Sequence, residues 1–233
     1  MSIVRKENAN WNALLFITFW LAVIIECVAL YERQYVVYGF SRVVVAPILL
    51  VRLITSISGH KVNRYIYLFL LVSILADLLT IFGMPKIEYI GLNLFTVSYL
   101  SLTCFFLQLK NNYHSASLIT FLVSFTIVVS TTIIWLFVPE LHKKVFYIQV
   151  TIHTLALILL GYSFISASSK LKSVVYRNLL LSVILIIITN ILFGIDVFIF
   201  HYKYSIVESL IGLGNGTYLF FITRGVLKQV KKV

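Results

Sequence analysis

Apolar runs of about 20 residues fill this chain from Trp11 to Leu227, separated by short polar connectors. Wound as a helix, a run of that length spans the roughly 30 Å hydrocarbon core of a bilayer. Inside hydrocarbon every backbone N–H and C=O needs an internal partner, which leaves helices or closed barrels. The runs are too long for barrel strands and do not alternate apolar with polar residues. The expected architecture is therefore all-α: one integral membrane domain over 1–233, a polytopic bundle of eight transmembrane helices. The spans fall near 11–31, 35–57, 64–83, 88–109, 115–138, 144–167, 177–200 and 205–227. Composition agrees, with 61% hydrophobic residues, 12% charged and a mean hydropathy of +1.01. Soluble domains carry about a quarter charged residues.

Lys and Arg set the orientation. With the N-terminus inside, the inner connectors and ends hold Arg5, Lys6, Lys61, Arg64, Lys110, Lys170, Lys172, Arg177, Arg224, Lys228, Lys231 and Lys232. The outer side holds Arg33, Lys86, Lys143, Lys144 and Lys203. This bias predicts that both termini are cytoplasmic. The excess of 19 Lys and Arg over 8 Asp and Glu reads as topology-setting loop charge, not as a nucleic-acid footprint. The basic tail suits an anionic leaflet. The first apolar run is too long for a signal peptide and lacks a small-residue cleavage site. A multi-pass protein of a bacterial inner membrane is expected.

Asp77 and Asp196 are the only aspartates, and both lie deep in apolar runs. A carboxylate at the bilayer centre costs about 2.5–3.5 kcal/mol on insertion scales and marks a functional site by default. At 1.5 Å per residue, Asp77 lies roughly 20 Å, Glu26 roughly 22 Å and Asp196 roughly 28 Å from the inner face. Arg42, Asn93, Gln149, His153 and Glu208 enter the same outer half from the other direction, and Asn190 sits below Asp196. Tyr99 and Tyr218 fall near the middle. Arg42 is the expected counter-ion for Asp77, Asp196 or Glu26. In the inner half, Arg52 is expected to snorkel or pair. The pattern D-x20-[ST]-Y occurs twice, at Asp77–Tyr99 and Asp196–Tyr218, and hints at a four-plus-four duplication. These residues outline a polar pocket facing the outer side.

The residue types narrow the chemistry. No H-E-x-x-H, G-x-x-x-x-G-K-[ST] or G-x-S-x-G motif occurs. Cys27 and Cys104 lie in different spans with no C-x-x-C spacing. No metal or other cofactor is expected. Two carboxyls in a restricted pocket, one donating a proton and one accepting, suit the cleavage of acetal-like C–O bonds.

Ala76-Asp77-Leu78-Leu79, followed by Gly91 and Phe95, resembles the A-D-x-x-L…G-x-x-x-F pattern of the YhhN-like lysoplasmalogenase family, with Thr80 in place of the leucine. Phe193-Gly194-Ile195-Asp196 is similar to the family's late Ser-Asp run, and Gly216-Thr217-Tyr218 resembles its final tyrosine span. Chain length and span count match too. The chain departs from the pattern at Ala46, before Pro47, where the family has lysine. It departs again at Tyr99, Ile195 and Ile222, where the family has His, Ser and Gln. The resemblance implies hydrolysis of the vinyl ether bond of a lysoplasmalogen to a fatty aldehyde and a glycerophospho-alcohol. It implies Asp77 and Asp196 as the catalytic pair. Arg42, Asn93, Tyr99, His153, Asn190 and Tyr218 would then contact a lysophospholipid or other amphiphile drawn from the membrane lipid. The same buried charges would also suit a small transporter or a non-catalytic membrane sensor.

Overall fold

The computed structural model describes residues 2–57, 62–80, 85–111 and 142–230, with side chains described over 11–57, 62–79, 90–109 and 145–230. Every regular element among them is helical. The helices are α1 (Ser2–Tyr31), α2 (Tyr35–Ser56), α3 (Arg64–Thr80), α4 (Pro85–Asn111), α5 (His142–Ala167), α6 (Ser173–Ile195) and α7 (Ser205–Val230). A short 3₁₀ turn, Ser168–Lys170, follows α5, and a π-type turn, Asp196–Phe200, extends α6. Six stretches are long and apolar enough to cross a membrane: Trp11–Tyr31, Tyr35–Ser56, Ile90–Leu109, Val145–Lys170, Ser173–Phe200 and Ser205–Val230. The protein thus has the make-up of a multi-pass membrane protein. Helix α3 is described over 17 residues, short of the roughly 20 a span needs. The run expected at 115–138 lies outside the described residues.

The described helices fall into two compact units, 1–61 with 173–233, and 62–172. In the first, α1 and α2 form one antiparallel hairpin and α6 and α7 another, and α7 packs against α1, α2 and α6. Tight turns end α1 and the extended α6. Arg33, His201 and Tyr202 take left-handed backbone conformations there.

Lipid tails are as apolar as leucine, so helices in hydrocarbon associate through close van der Waals packing, and small residues at the contact permit it. Helix α7 uses its glycines this way. A Cβ on Gly212 would lie 2.9 Å from Leu30 Cδ1, and one on Gly216 would lie 2.6 Å from Val23 Cγ2, both on α1. Gly214 abuts Thr189, and a Cβ on Gly225 would lie 2.7 Å from Leu179 Cδ2, both on α6. Gly212 and Gly216 form a G-x-x-x-G face, and α7 runs unbroken through it. Below them Phe19 stacks on Phe220 at 5.8 Å.

In the second unit α4 packs against α3 and α5. Ser73 and Ser98 share a 2.9 Å hydrogen bond between antiparallel α3 and α4. Thr96 meets His153, and ten residues on Phe106 meets Phe164 at 5.3 Å, so α4 and α5 run parallel.

Gly216→Ala drives a methyl group into Val23 and is expected to lower stability by about 1–3 kcal/mol, the usual cost of overpacking. Gly161→Ala meets nothing within 4 Å and is expected to be neutral or slightly stabilising. Unfolding of the two purified variants in mixed micelles checks this; equal stability would contradict the packing described.

Candidate functional site

The first unit gathers its ionisable groups at the end that carries the 32–34 and 201–204 turns. Glu26 lies five residues before the end of α1, and Arg42 lies seven residues into α2. Antiparallel pairing brings them level, and Arg42 Nη1 donates to Glu26 Oε1 at 3.1 Å. Both are buried. The Arg42 guanidinium also lies 5.7 Å from the centre of the Tyr38 ring. Glu26 is thus the acid that Arg42 pairs with. A Cβ on Gly212 would lie 3.3 Å from Glu26 Oε1, so the ion pair sits one turn along α7 from Glu208.

Asp196 opens the π-type turn. Such turns are rare and recur at functional sites. The backbone carbonyl of Asp196 accepts a hydrogen bond from the Tyr202 N–H at 3.2 Å. Its side chain is 1% exposed, and no donor among the described residues bonds Oδ1. Glu208, the fourth residue of α7, is buried, and its Oε1 likewise has no hydrogen-bond partner among them. The charge of Glu208 interacts unfavourably with Asp196 and favourably with Arg33. Arg33 in turn donates to the Lys203 carbonyl at 2.8 Å and ties the two turns together. Unbonded buried oxygens are rare because each forfeits its solvation, so two on neighbouring helices of one unit stand out.

Asn190 and Tyr218 belong to the same unit at greater depth. The Asn190 amide donates to the Ile186 carbonyl at 2.7 Å, within its own helix. Tyr218 is buried ten residues along α7 from Glu208, about 15 Å by helical rise.

The second unit holds Asp77, Asn93, Tyr99 and His153, all buried. Asn93, Thr96 and Tyr99 follow one another at three-residue spacing on α4. The His153 Nδ1 lies 2.8 Å from Thr96 Oγ1, and Gln149 Nε2 donates to the same hydroxyl at 3.2 Å. The Tyr99 ring lies 5.5 Å from the His153 ring. The Ser73–Ser98 contact sets the α3–α4 register, which brings Asp77 level with Leu94, beside Asn93. The four residues expected here therefore share one polar stretch of this unit's interior.

Sequence reading placed Glu26, Gln149 and Glu208 in the polar layer without assigning them to the site, and it passed over Thr96. Glu208 sits in the first turn of a span, where a carboxylate ordinarily reaches the interface; here it is buried instead. Among the described residues, no three His, Cys, Asp or Glu side chains converge as metal ligands would.

Removing one member of a buried ion pair leaves the other uncompensated, at about 3–5 kcal/mol. Glu26→Gln is expected to destabilise the protein by that order, and Glu26→Leu with Arg42→Met by much less. A double-mutant cycle read by unfolding checks the coupling; additive effects would contradict it.

No family model, curated protein or solved structure matches this chain.

Proposed function

We propose that this chain is an intramembrane hydrolase that cleaves the vinyl ether bond of lysoplasmalogen-type lysophospholipids by aspartate acid/base catalysis. The observation that carries the reading is the Asp196 carboxyl: buried in an apolar span, set in a π-type turn, and with an oxygen that no donor among the described residues bonds. Natural sequences retain such a costly group where it does chemistry. Asp77, equally enclosed, is the second carboxyl.

Acid/base catalysis accounts for the whole reaction. A carboxyl O–H breaks as its proton joins the outer carbon of the vinyl ether, and the double-bond electrons form the new C–H bond. The inner carbon becomes an oxocarbenium ion. Water adds to that carbon, and a carboxylate takes the released proton. The hemiacetal then collapses: its O–H proton returns to the carboxylate that protonated carbon, its C–O bond to glycerol breaks, and the carboxyl that took the water proton gives it to the departing oxygen. Fatty aldehyde and glycerophospho-alcohol leave, and both carboxyls regain their starting states. Arg42, Asn93, Tyr99, His153, Asn190 and Tyr218 are proposed to shape the substrate path. No cofactor enters the scheme.

The finer topology belongs to the same reading: eight spans, both termini in the cytoplasm and residence in a bacterial inner membrane. The parallel course of α4 and α5 supports the count, since one further crossing between them would produce it. The Lys and Arg asymmetry supports the orientation.

A second reading, a proton-coupled carrier, is favoured by the two buried carboxyls of Asp196 and Glu208, each with an oxygen unbonded among the described residues, which would suit a coupling-ion site. The two readings diverge on one assay. Purified protein is expected to release aldehyde from a lysoplasmalogen, and Asp77→Asn and Asp196→Asn are each expected to lower turnover at least about a hundredfold while still inserting. Unchanged turnover in either variant removes that aspartate from the mechanism. Absence of aldehyde with wild type, together with counterflow uptake in proteoliposomes, would favour the carrier.

A further inference from the structure

The opposite end of the first unit carries two arginines with no acid beside them among the residues whose side chains are described. Arg52 of α2 lies between two rings, 5.6 Å from the Phe16 centroid on α1 and 5.7 Å from the Phe220 centroid on α7. Arg224, one turn beyond Phe220 on α7, lies 6.0 Å from that same ring. The two guanidinium groups are close enough to repel each other. Arg52 is half-buried and Arg224 is exposed.

Nothing described in this unit neutralises them. The acids of this unit whose side chains are described, Glu26, Glu32, Asp196 and Glu208, all lie at the other end; the Glu7 side chain, early on α1, lies outside the described ones. Glu208 and Arg224 are 16 residues apart on one continuous helix, about 24 Å. Glu26 is already paired with Arg42. Rings on α1 and α7 flank the Arg52 charge and attract it, which favours this position of the side chain. A guanidinium presents a fork of N–H donors suited to two oxygens of one phosphate.

Depth identifies the source of that phosphate. Phe16 lies five residues inside the first apolar stretch, about 7 Å along the helix. Guanidinium groups reaching outward from that level arrive at the lipid headgroups. Lys228, one turn beyond Arg224, adds positive charge in the last turn of α7.

We propose that Arg52 and Arg224 form a seat for the phosphate of a membrane glycerophospholipid, at the end of the unit opposite the buried carboxyls. The site needs no hydrolytic activity and stands apart from it.

Titration of the purified full-length protein in a nonionic detergent tests the assignment, with thermal unfolding followed by tryptophan fluorescence. Phosphatidic acid is expected to raise the midpoint by several degrees. Diacylglycerol with the same chains and inorganic phosphate at the same concentration are expected to leave it unmoved. Arg52→Gln and Arg224→Gln are each expected to weaken the apparent affinity for phosphatidic acid by about tenfold, as for loss of one charge-assisted contact. Arg224 is exposed, so its variant keeps the test open if Arg52→Gln fails to fold. An equal shift with diacylglycerol would overturn the phosphate seat. So would wild-type affinity in the Arg224 variant. An equal shift with inorganic phosphate would overturn the lipid as its source.

Discussion

Taking an ionisable side chain out of water costs several kcal/mol unless another group compensates it, and the placement of charge in this protein follows from that one constraint. Glu26 and Arg42 meet the requirement through each other, across the α1–α2 hairpin, at 3.1 Å. Asp196 and Glu208 do not: both are buried, each has an oxygen without a donor among the described residues, and their charges interact unfavourably. Two solutions to the same problem thus sit one helical turn apart. The first reads as architecture, and the second reads as a working group.

Close approach of the helices makes that arrangement feasible. The glycines of α7 let α1 and α6 come near enough for Glu26 to lie against Gly212. Helix α6 then departs from regular geometry where Asp196 sits, and the left-handed residues His201 and Tyr202 turn the chain back into α7 within a few residues. Packing by small residues, a widened turn and a tight reversal together bring two acids from neighbouring helices into one place. The aromatic cluster around Phe19 and Phe220 occupies the depth between this end and the arginines of the other.

Much of this was legible in the residues alone. Helicity and most helix limits followed from the length of the apolar runs, because a bilayer leaves the backbone few alternatives. Counting rises along opposed helices put Glu26, Arg42, Asp196 and Glu208 in a common layer, and the first unit does hold them at one end. The choice of Glu26 as the partner of Arg42 was not legible. Three acids lay within the same depth range, and the helix faces decided among them. Gly212 and Gly216 are by residue type compatible with a helix break as much as with close packing, and only the neighbours Val23 and Leu30 show that they pack. The π-type turn at Asp196 left no mark in the sequence beyond the aspartate itself, since the residues on either side, Phe193 to Ile195 and Val197 to Phe200, carry no turn-forming Pro, Asn or Ser.

The account stands on proton delivery from a buried carboxyl to carbon. Hydrolysis of a lysoplasmalogen by the purified protein in heavy water, with the aldehyde trapped by immediate reduction, reads that step in the product. One deuterium on the carbon next to the former carbonyl is the predicted result. Aldehyde without deuterium at that carbon, or no aldehyde at all, would contradict it.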